Sequence, residues 1–280
     1  MVIVVYYIKR KGLEDNRRQC TINCFTPGPR QMVTVGVFSE RASLTHQLGE
    51  FIVKKQDEAL QKKSDFKVSV SGGSLIDALY ESLVADESLS SRVQWSKWQI
   101  YFSDERIVPL TDADSNYGAF KRAVLDKLPS TSQPNVYPMD ESLIGSDAES
   151  NNKIAAEYER IVPQVLDLVL LGCGPDGHTC SLFPGETHRY LLNETTKRVA
   201  WCHDSPKPPS DRITFTLPVL KDAKALCFVA EGSSKQNIMH EIFDLKNDQL
   251  PTALVNKLFG EKTSWFVNEE AFGKVQTKTF

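Results

Sequence analysis

The sequence lacks the features of membrane, secreted and nucleic-acid-binding proteins. No apolar run among its 280 residues approaches the length of a membrane span. Its net charge is −3, and it contains no basic stripe or block of like charges. The shares of hydrophobic and charged residues, 41% and 25%, are those of an ordinary globular protein. We therefore expect neither a nucleic-acid partner nor a membrane partner.

The sequence also lacks a cysteine framework. None of its six cysteines belongs to a CxxC pair, and a chain of this length can build a core without disulfides. His, Cys and carboxylate residues do not cluster at metal-ligand spacing, which argues against a structural zinc site. We expect reduced cysteines and a cytoplasmic location, with the nucleus left open. The six residues are Cys20, Cys24, Cys173, Cys180, Cys202 and Cys227.

Residues 1–31 lack the hydrophobic periodicity of the rest of the chain. Their apolar start, residues 1–8, precedes the basic residues 9–11, which is the reverse of the order in a secretory signal. We expect residues 1–31 to be a disordered extension outside the fold. Residues 32–280 are expected to form one α/β domain.

Strands and helices alternate from residue 33 onward. Strands are predicted at 33–38, 66–70, 98–102, 168–171, 199–202, 212–216, 225–229 and 264–267. Helices are predicted at about 40–62, 75–83, 116–128, 148–161 and 232–243. This alternation is typical of an α/β fold with a mostly parallel, doubly wound (Rossmann-like) sheet and helices on both faces. Residues 184–224 are expected to form a small subdomain.

The most informative stretch is residues 167–185, DLVLLGCGPDGHTCSLFPG. Its apolar part, 168–171, predicts a strand buried on both faces, and glycines with a proline then force a tight turn. The turn presents Asp176 and His178 past the carboxyl end of the strand, which is where open α/β sheets bind ligands. Residues 179–181 are expected to open a short helix that faces the same space.

Ser71, Gly72, Gly73 and Ser74 lie between a predicted strand and a predicted helix. Glycines let the backbone approach an anion, and serine hydroxyls and helix N–H groups can donate to it. The stretch matches neither GxGxxG nor GxxxxGK(S/T), so it indicates neither a dinucleotide nor a nucleoside triphosphate. The local sequence leaves open an anion-binding loop and a purely structural turn.

Four cations are candidates to meet an anion. Arg106 follows the next strand at the same edge, in a charged run, residues 104–106, whose default interpretation is a solvated turn. Prolines fix the loop that carries Lys207, and Arg212 begins a strand nearby. Lys235 lies in the first turn of a helix, where the dipole disfavours a cation unless an anion shares the site. A lysine that extends into solvent is the alternative interpretation.

Six motifs, in this order, resemble those of the 6-phosphogluconolactonases of the fungal and animal type. The resemblance spans roughly residues 33–272, and the wider fold family also contains glucosamine-6-phosphate deaminases and related isomerases. The motifs are SVSGGS at 69–74, SDERIVP at 103–109, DADSNYG at 112–118, LGCGPDGHTCSLFP at 171–184, DSPKPPSDRIT at 204–214 and AEGSSK at 230–235.

The resemblance implies hydrolysis of 6-phosphoglucono-1,5-lactone to 6-phosphogluconate in the oxidative pentose phosphate pathway, with no metal and no nucleotide cofactor. His178 would be the general base, because an imidazole titrates near the working pH. Asp176 would orient the imidazole or a substrate hydroxyl, and Arg106 would stabilise the oxyanion or a sugar oxygen. The residues expected to hold the phosphate are Ser71, Gly72, Gly73, Ser74, Arg212 and Lys235, with Lys207 close by.

Three alternatives are open. Direct attack by Ser181 or Cys180 would lack a second base and a GxSxG elbow. The isomerases and deaminases that this loop resembles carry an Asn-Glu pair just before the proline. This chain has Leu182-Phe183 there, and phenylalanine cannot move a proton. The third alternative is a regulatory relative that has lost catalysis. The presence of every motif residue argues against this loss. The sequence does not define the oligomeric state, and a monomer is compatible with it.

Overall fold

The computed structural model describes residues 32–145 and 147–280. The predicted N-terminal extension, residues 1–31, lies outside the described residues. The strands are β1 (Thr34–Phe38), β2 (Phe66–Val70), β3 (Trp98–Phe102), β4 (Asp104–Arg106), β5 (Asn135–Val136), β6 (Leu168–Gly172), β7 (Val199–Cys202), β8 (Arg212–Phe215), β9 (Leu226–Ala230) and β10 (Thr263–Asn268). The helices are α1 (Arg41–Leu60), α2 (Ser74–Tyr80), α3 (Glu87–Ser90), α4 (Asn116–Ala123), α5 (Ala148–Ile161), α6 (Arg189–Leu192), α7 (Leu217–Asp222), α8 (Gln236–Phe243), α9 (Pro251–Phe259) and α10 (Glu269–Phe272). No helix in this part of the chain is long and apolar enough to cross a membrane.

Seven strands form one sheet in the order β1-β10-β9-β6-β2-β3-β5, and every neighbouring pair is parallel. From β2 the chain adds β3 and then β5 toward one edge of the sheet. From β6 it adds β9 and then β10 toward the other edge. The direction therefore reverses between β2 and β6. The crevice at the carboxyl ends of these two strands is where such sheets bind ligands. The predicted parallel, doubly wound α/β fold is confirmed.

Alternate residues of β6 enter two hydrophobic cores, one on each face of the sheet. Leu168 and Leu170 pack with residues of α1, α2 and α4, whereas Val169 and Leu171 pack with residues of α5, α8 and α9. All four side chains are fully buried. Successive side chains of a strand point to opposite faces, so a strand that is covered on both sides requires an unbroken apolar run.

A second sheet of three antiparallel strands, β4-β8-β7, adjoins the carboxyl end of β3. Strands β7 and β8 come from the predicted subdomain, residues 184–224, but β4 does not, and it was not predicted. The Phe215 N–H donates to the Ser103 carbonyl over 2.8 Å, which joins β8 to the end of β3. In the β4–β8 pairing Arg106 stands opposite Arg212. The small sheet therefore brings two arginines to one place.

Two local predictions were wrong. Residues 179–181 form a tight turn, closed by a bridge between Thr179 and Leu182, and they do not begin a helix. Cys180 has a φ of 50°, which a right-handed helix does not accommodate. The predicted helix at 116–128 ends as α4 at Ala123, and a separate 3₁₀ turn, Leu125–Lys127, follows it.

Candidate active site

The turn after β6 is closed by its own backbone and fastened to α9. The Gly174 N–H donates to the His178 carbonyl over 2.9 Å, and the Gly177 N–H donates to the Gly174 carbonyl over 3.0 Å. Gly177 has a φ of 79°, a conformation that favours glycine. Its carbonyl accepts hydrogen bonds from the Thr252 N–H, at 3.2 Å, and from the Thr252 hydroxyl, at 3.0 Å. The path of the turn is therefore fixed independently of any ligand.

Asp176 and His178 project from this turn together. Nδ1 of His178 contacts Oδ1 of Asp176, and Nζ of Lys207 lies 3.3 Å from the same oxygen. Burial alone would raise the pKa of Asp176. The hydrogen bond from His178 and the positive charge of Lys207 outweigh burial and hold that pKa well below its ordinary value. Asp176 is therefore ionised across the neutral range.

An ionised Asp176 accepts hydrogen bonds and cannot donate them. We therefore assign the Nδ1 proton of His178 to this contact, which leaves the lone pair of the neutral imidazole on Nε2. Lys207 Nζ is 3.1 Å from Nδ1 because both groups converge on the same carboxylate oxygen. The arrangement presents a base whose ring is oriented by a carboxylate and flanked by an ammonium group.

The ring of Phe183 forms the floor of this cluster. Phe183 is fully buried, and its ring centroid is 4.7 Å from that of His178. Lys207 Nζ lies 5.9 Å from the ring centroid, and the Arg212 guanidinium carbon lies 5.7 Å from it. These are cation–π distances, so one aromatic side chain fixes the imidazole and supports two cations. Phe183 is neither titratable nor part of a phosphate-binding pattern, so this packing role leaves no signal in the sequence.

The loop of residues 71–74 lies beside this cluster, on the other side of the crevice. The buried Ser71 hydroxyl donates to the Leu170 carbonyl of β6 over 3.1 Å, so it joins the two strands that border the crevice. A methyl group at Gly72 would overlap the side-chain amide of Asn116, so only glycine fits there. Gly73, with a φ of 72°, has nothing within 4 Å of where a Cβ would be, and it is exposed together with Ser74. Of the four residues, these last two face open space.

The charged run after β3 is not a solvated turn, which corrects its default interpretation. Glu105 is 1% exposed and accepts hydrogen bonds from the N–H groups of Arg106, Asn116 and Tyr117 at 2.7–2.8 Å. Burial raises the pKa of Glu105, although these N–H groups oppose the shift. The Asn116 amide in turn donates to the Asp104 carbonyl over 2.8 Å. This network holds the start of α4 against Gly72.

Arg106 borders a cavity of about 490 Å³ that Gly73 also lines. Its Nη1 donates to the Asp114 carbonyl over 2.9 Å. Its Nε is buried and has no hydrogen-bond partner among the described residues. A larger cavity of about 570 Å³ lies between α5 and β7, and none of the predicted site residues lines it. Of these two cavities, the one beside Arg106 adjoins the predicted site.

Lys235 lies at the end of a 3₁₀ turn, Ser233–Lys235, that leads into α8. Burial lowers the pKa of Lys235, and the positive charge of Lys207 lowers it further. Arg212 is 2% exposed, and it donates to the carbonyls of the loop that carries Lys207. Of the four predicted cations, only Lys207 forms an ion pair within the described residues, with Asp176.

The two alternative nucleophiles lie in the buried turn at 179–182. The Ser181 hydroxyl is fully buried and donates to Asp104 Oδ2 over 2.9 Å. Burial raises the pKa of the Cys180 thiol well above its ordinary value, which disfavours the reactive thiolate. Neither group is available to attack a substrate.

A paired histidine alone does not identify the site. His46 and His240 also contact carboxylates, Asp86 at 2.8 Å and Asp244 at 2.6 Å. What distinguishes His178 is its position at the crevice of the sheet and the cations around it. Within residues 32–145 and 147–280, no group of three or more His, Cys, Asp or Glu side chains is arranged to hold a metal ion.

Comparisons with known proteins agree with this architecture. A family model described as glucosamine-6-phosphate isomerases/6-phosphogluconolactonase matches residues 39–265. The 6-phosphogluconolactonase 4 of Saccharomyces cerevisiae is 49% identical over 247 residues, which cover 86% of this chain and 97% of that protein. The 6-phosphogluconolactonase of Rattus norvegicus is 37% identical over 240 residues, which cover 85% and 91%. The crystal structure of the 6-phosphogluconolactonase from Thermotoga maritima matches with a TM-score of 0.67 and 26% identity, over 84% of this chain and 99% of that one.

Proposed function

The chain belongs to the family of glucosamine-6-phosphate isomerases and 6-phosphogluconolactonases, and on this premise we propose that it hydrolyses 6-phosphoglucono-1,5-lactone to 6-phosphogluconate. The reaction belongs to the oxidative pentose phosphate pathway. One observation carries the proposal. A histidine oriented by a carboxylate lies at the crevice between β2 and β6, among several cations. Of these cations, only Lys207 forms an ion pair with a carboxylate of the described residues. A phosphorylated lactone requires both a base for water and a positive pocket.

His178 is proposed as the general base. Its Nε2 takes a proton from a water molecule while the water oxygen adds to the lactone carbonyl carbon, which gives a tetrahedral intermediate. When the intermediate collapses, the bond from this carbon to the ring oxygen breaks, and the imidazolium returns the proton to the leaving oxygen. Asp176 keeps the Nδ1 proton in place and stabilises the imidazolium that forms.

The developing oxyanion requires a nearby positive charge. Lys207 is the cation on the Asp176–His178 pair, so we assign it to the reacting end of the substrate rather than to the distant phosphate. Arg106 remains a candidate for a sugar oxygen or the oxyanion, because its buried Nε has no hydrogen-bond partner among the described residues.

For the phosphate we propose Lys235 together with the exposed backbone and hydroxyl of Gly73 and Ser74. Lys235 is partly buried, and no described carboxylate pairs with it, so a dianionic phosphate would compensate its desolvation. Gly72 lets the loop pass close to Asn116, and Ser71 ties the loop to β6. We therefore give Ser71 and Gly72 the role of shaping the loop rather than of direct contact.

The family also contains isomerases and deaminases of glucosamine 6-phosphate. Their reaction moves protons on the sugar, and the buried ring of Phe183 occupies the position where a titratable side chain would be needed. This supports lactone hydrolysis over isomerisation.

One substrate panel tests the proposal. The purified full chain is assayed in a pH-stat with freshly prepared 6-phosphogluconolactone, with unphosphorylated gluconolactone and, by ammonia release, with glucosamine 6-phosphate. We expect acid release from the phosphorylated lactone far above its spontaneous rate, slow turnover of the plain lactone and no ammonia. Ammonia release would indicate a deaminase. Lactone opening at only the spontaneous rate would indicate a relative that has lost catalysis.

We further propose a cytoplasmic location, which the four free, buried cysteines of the described residues support. Attack of water on a lactone needs a base and positive charge, so we retain the expectation of a reaction without a metal or nucleotide cofactor. We expect no nucleic-acid or membrane partner. A monomer is a sufficient unit for this chemistry, since every proposed site residue lies on one chain.

A further inference from the structure

We propose that Arg212 is a positioning residue that holds Lys207 against the Asp176–His178 pair, rather than a ligand of the substrate's phosphate. The inference rests on the proposed function for the identity of the reaction. It departs from the expectation that sequence alone gave for Arg212, which was a direct contact with the phosphate.

The Arg212 side chain is already bonded to the loop that carries Lys207. Its Nη2 donates to the Lys207 carbonyl over 2.8 Å and to the Pro208 carbonyl over 3.3 Å, and its Nε donates to the Pro209 carbonyl over 3.0 Å. With 2% of its surface exposed, the arginine has little contact with the open crevice. Two of its three nitrogen atoms therefore serve the loop.

The loop needs such a donor because of its composition. Pro208 and Pro209 have no backbone N–H, so this segment cannot form a regular hydrogen-bonding pattern of its own. Its carbonyls still require partners where they are buried. A planar guanidinium can reach several carbonyls at fixed angles, which a lysine ammonium cannot do as well. The Ser205 hydroxyl adds one bond to the Lys207 carbonyl, at 2.8 Å.

The hydrogen bonds from Arg212 matter for the reaction because they fix the position of the Lys207 ammonium group. It is 3.3 Å from Asp176 Oδ1 and 3.1 Å from His178 Nδ1. The Phe183 ring lies within 6 Å of the imidazole and of both cations, so a shift of the loop would move Lys207 relative to the ring that packs against His178. Loss of Arg212 therefore acts on the base through Lys207.

Arg198 provides a matched control. Its guanidinium also donates to three consecutive carbonyls, those of residues 162–164, at 2.9–3.3 Å. Arg198 directly precedes Val199, which pairs with Phe215 at one end of the β7–β8 pair. Arg212 pairs with Cys202 at the other end. Arg198→Met thus removes the same kind of bond away from the proposed site.

The experiment is a double-mutant cycle read in two ways. Arg212→Met, Lys207→Met, the double variant and Arg198→Met are assayed on both lactones, well below their melting temperatures. We expect Arg212→Met and Lys207→Met each to lower kcat about 10–100-fold on both lactones with little change in KM. The double variant should be no worse than Lys207→Met alone, and Arg198→Met should keep its kcat. Should Arg212→Met fail to fold, Arg212→Lys should give a smaller loss in the same direction.

The second readout needs no substrate. In protein labelled with ¹⁵N-histidine, the ring resonances of His178 should move in Arg212→Met as they do in Lys207→Met, and should stay in place in Arg198→Met. If the enzyme does not act on lactones, this arm still tests the positioning role. Unchanged His178 resonances in Arg212→Met, or a loss confined to KM for the phosphorylated lactone, would overturn the proposal. Fully additive losses in the double variant would overturn it as well.

Discussion

Gly174→Ala is expected to slow the reaction about 10²-fold without unfolding the protein. A methyl carbon at position 174 would lie 2.5 Å from Asp176 Oδ1 and closer still to ring atoms of His178, whereas ordinary Cβ contacts begin near 3.4 Å. The carboxylate and the imidazole must therefore withdraw by about 1 Å. A misplacement of that size at a catalytic group can lower the rate about 10²-fold. The backbone of Gly174 is not in the left-handed region, so alanine adds no backbone strain there.

Gly172→Ala is the matched control. Gly172 ends β6, two residues earlier in the same segment, and a Cβ there would have nothing within 4 Å. The two variants make the same chemical change, and only one of them touches the Asp176–His178 pair. Both are assayed for kcat and KM on the phosphorylated lactone, with the spontaneous reaction subtracted, and both are melted by circular dichroism.

We expect kcat of Gly174→Ala to fall about 10²-fold, whereas its melting temperature changes little, because His178 and Asp176 can move toward the crevice. Gly172→Ala should match the parent chain in both measurements. If Gly174→Ala kept most of its kcat, the contact between Asp176 and His178 would not matter for the reaction. Equal losses in both variants would assign the effect to the strand.

Three further predictions concern other parts of the chain. A chain that begins at Met32 should keep full activity and melt within a degree or two of the longer chain; lost activity would show that residues 1–31 contribute to the domain. Ser181→Ala should retain most of its kcat but unfold at a lower temperature, because Asp104 loses a buried donor at a cost of about 1–3 kcal/mol; a large loss of kcat would instead favour Ser181 as nucleophile. Because burial and the charge of Lys207 lower the pKa of Lys235, binding of 6-phosphogluconate measured by calorimetry should weaken as pH rises, starting below the ordinary lysine value of 10.5. Lys235→Arg should remove this alkaline decline, and an unchanged decline would exclude Lys235 as its source.

The sheet and the position of the site could be predicted because they depend on local, periodic features. The run 168–171 is apolar at every position, which only a strand covered on both faces requires, and both cores are present. The polar residues that follow it had to lie at the carboxyl edge. Their position depends on the direction of β6 and not on which strand is its neighbour, so Asp176 and His178 could be expected past the carboxyl end of β6, where they lie.

The rest depended on contacts between distant segments. Glu105 belongs to a charged run that resembles a solvated turn. Its burial depends on hydrogen bonds that it accepts from the N–H groups of residues 116 and 117, which are distant in sequence. The sequence and the family resemblance predict the phosphate as the partner of Arg212, whereas its partners in the fold are carbonyls of a proline loop. The sequence predicts the start of a helix at 179–181. In the fold, the Ser181 hydroxyl donates to Asp104, and the backbone forms a tight turn instead. Side-chain pairing across the fold leaves no periodic signal in a sequence.

The most direct test of the account is kcat of His178→Gln on 6-phosphogluconolactone. Glutamine preserves a polar side chain of similar reach but cannot accept and return a proton near neutral pH, so kcat should fall roughly 10²–10⁴-fold while substrate binding changes less. The spontaneous opening of the lactone must be measured in parallel and subtracted. A His178→Gln protein that retained most of its kcat would contradict the assignment of His178 as the base, and with it the mechanism proposed for this site.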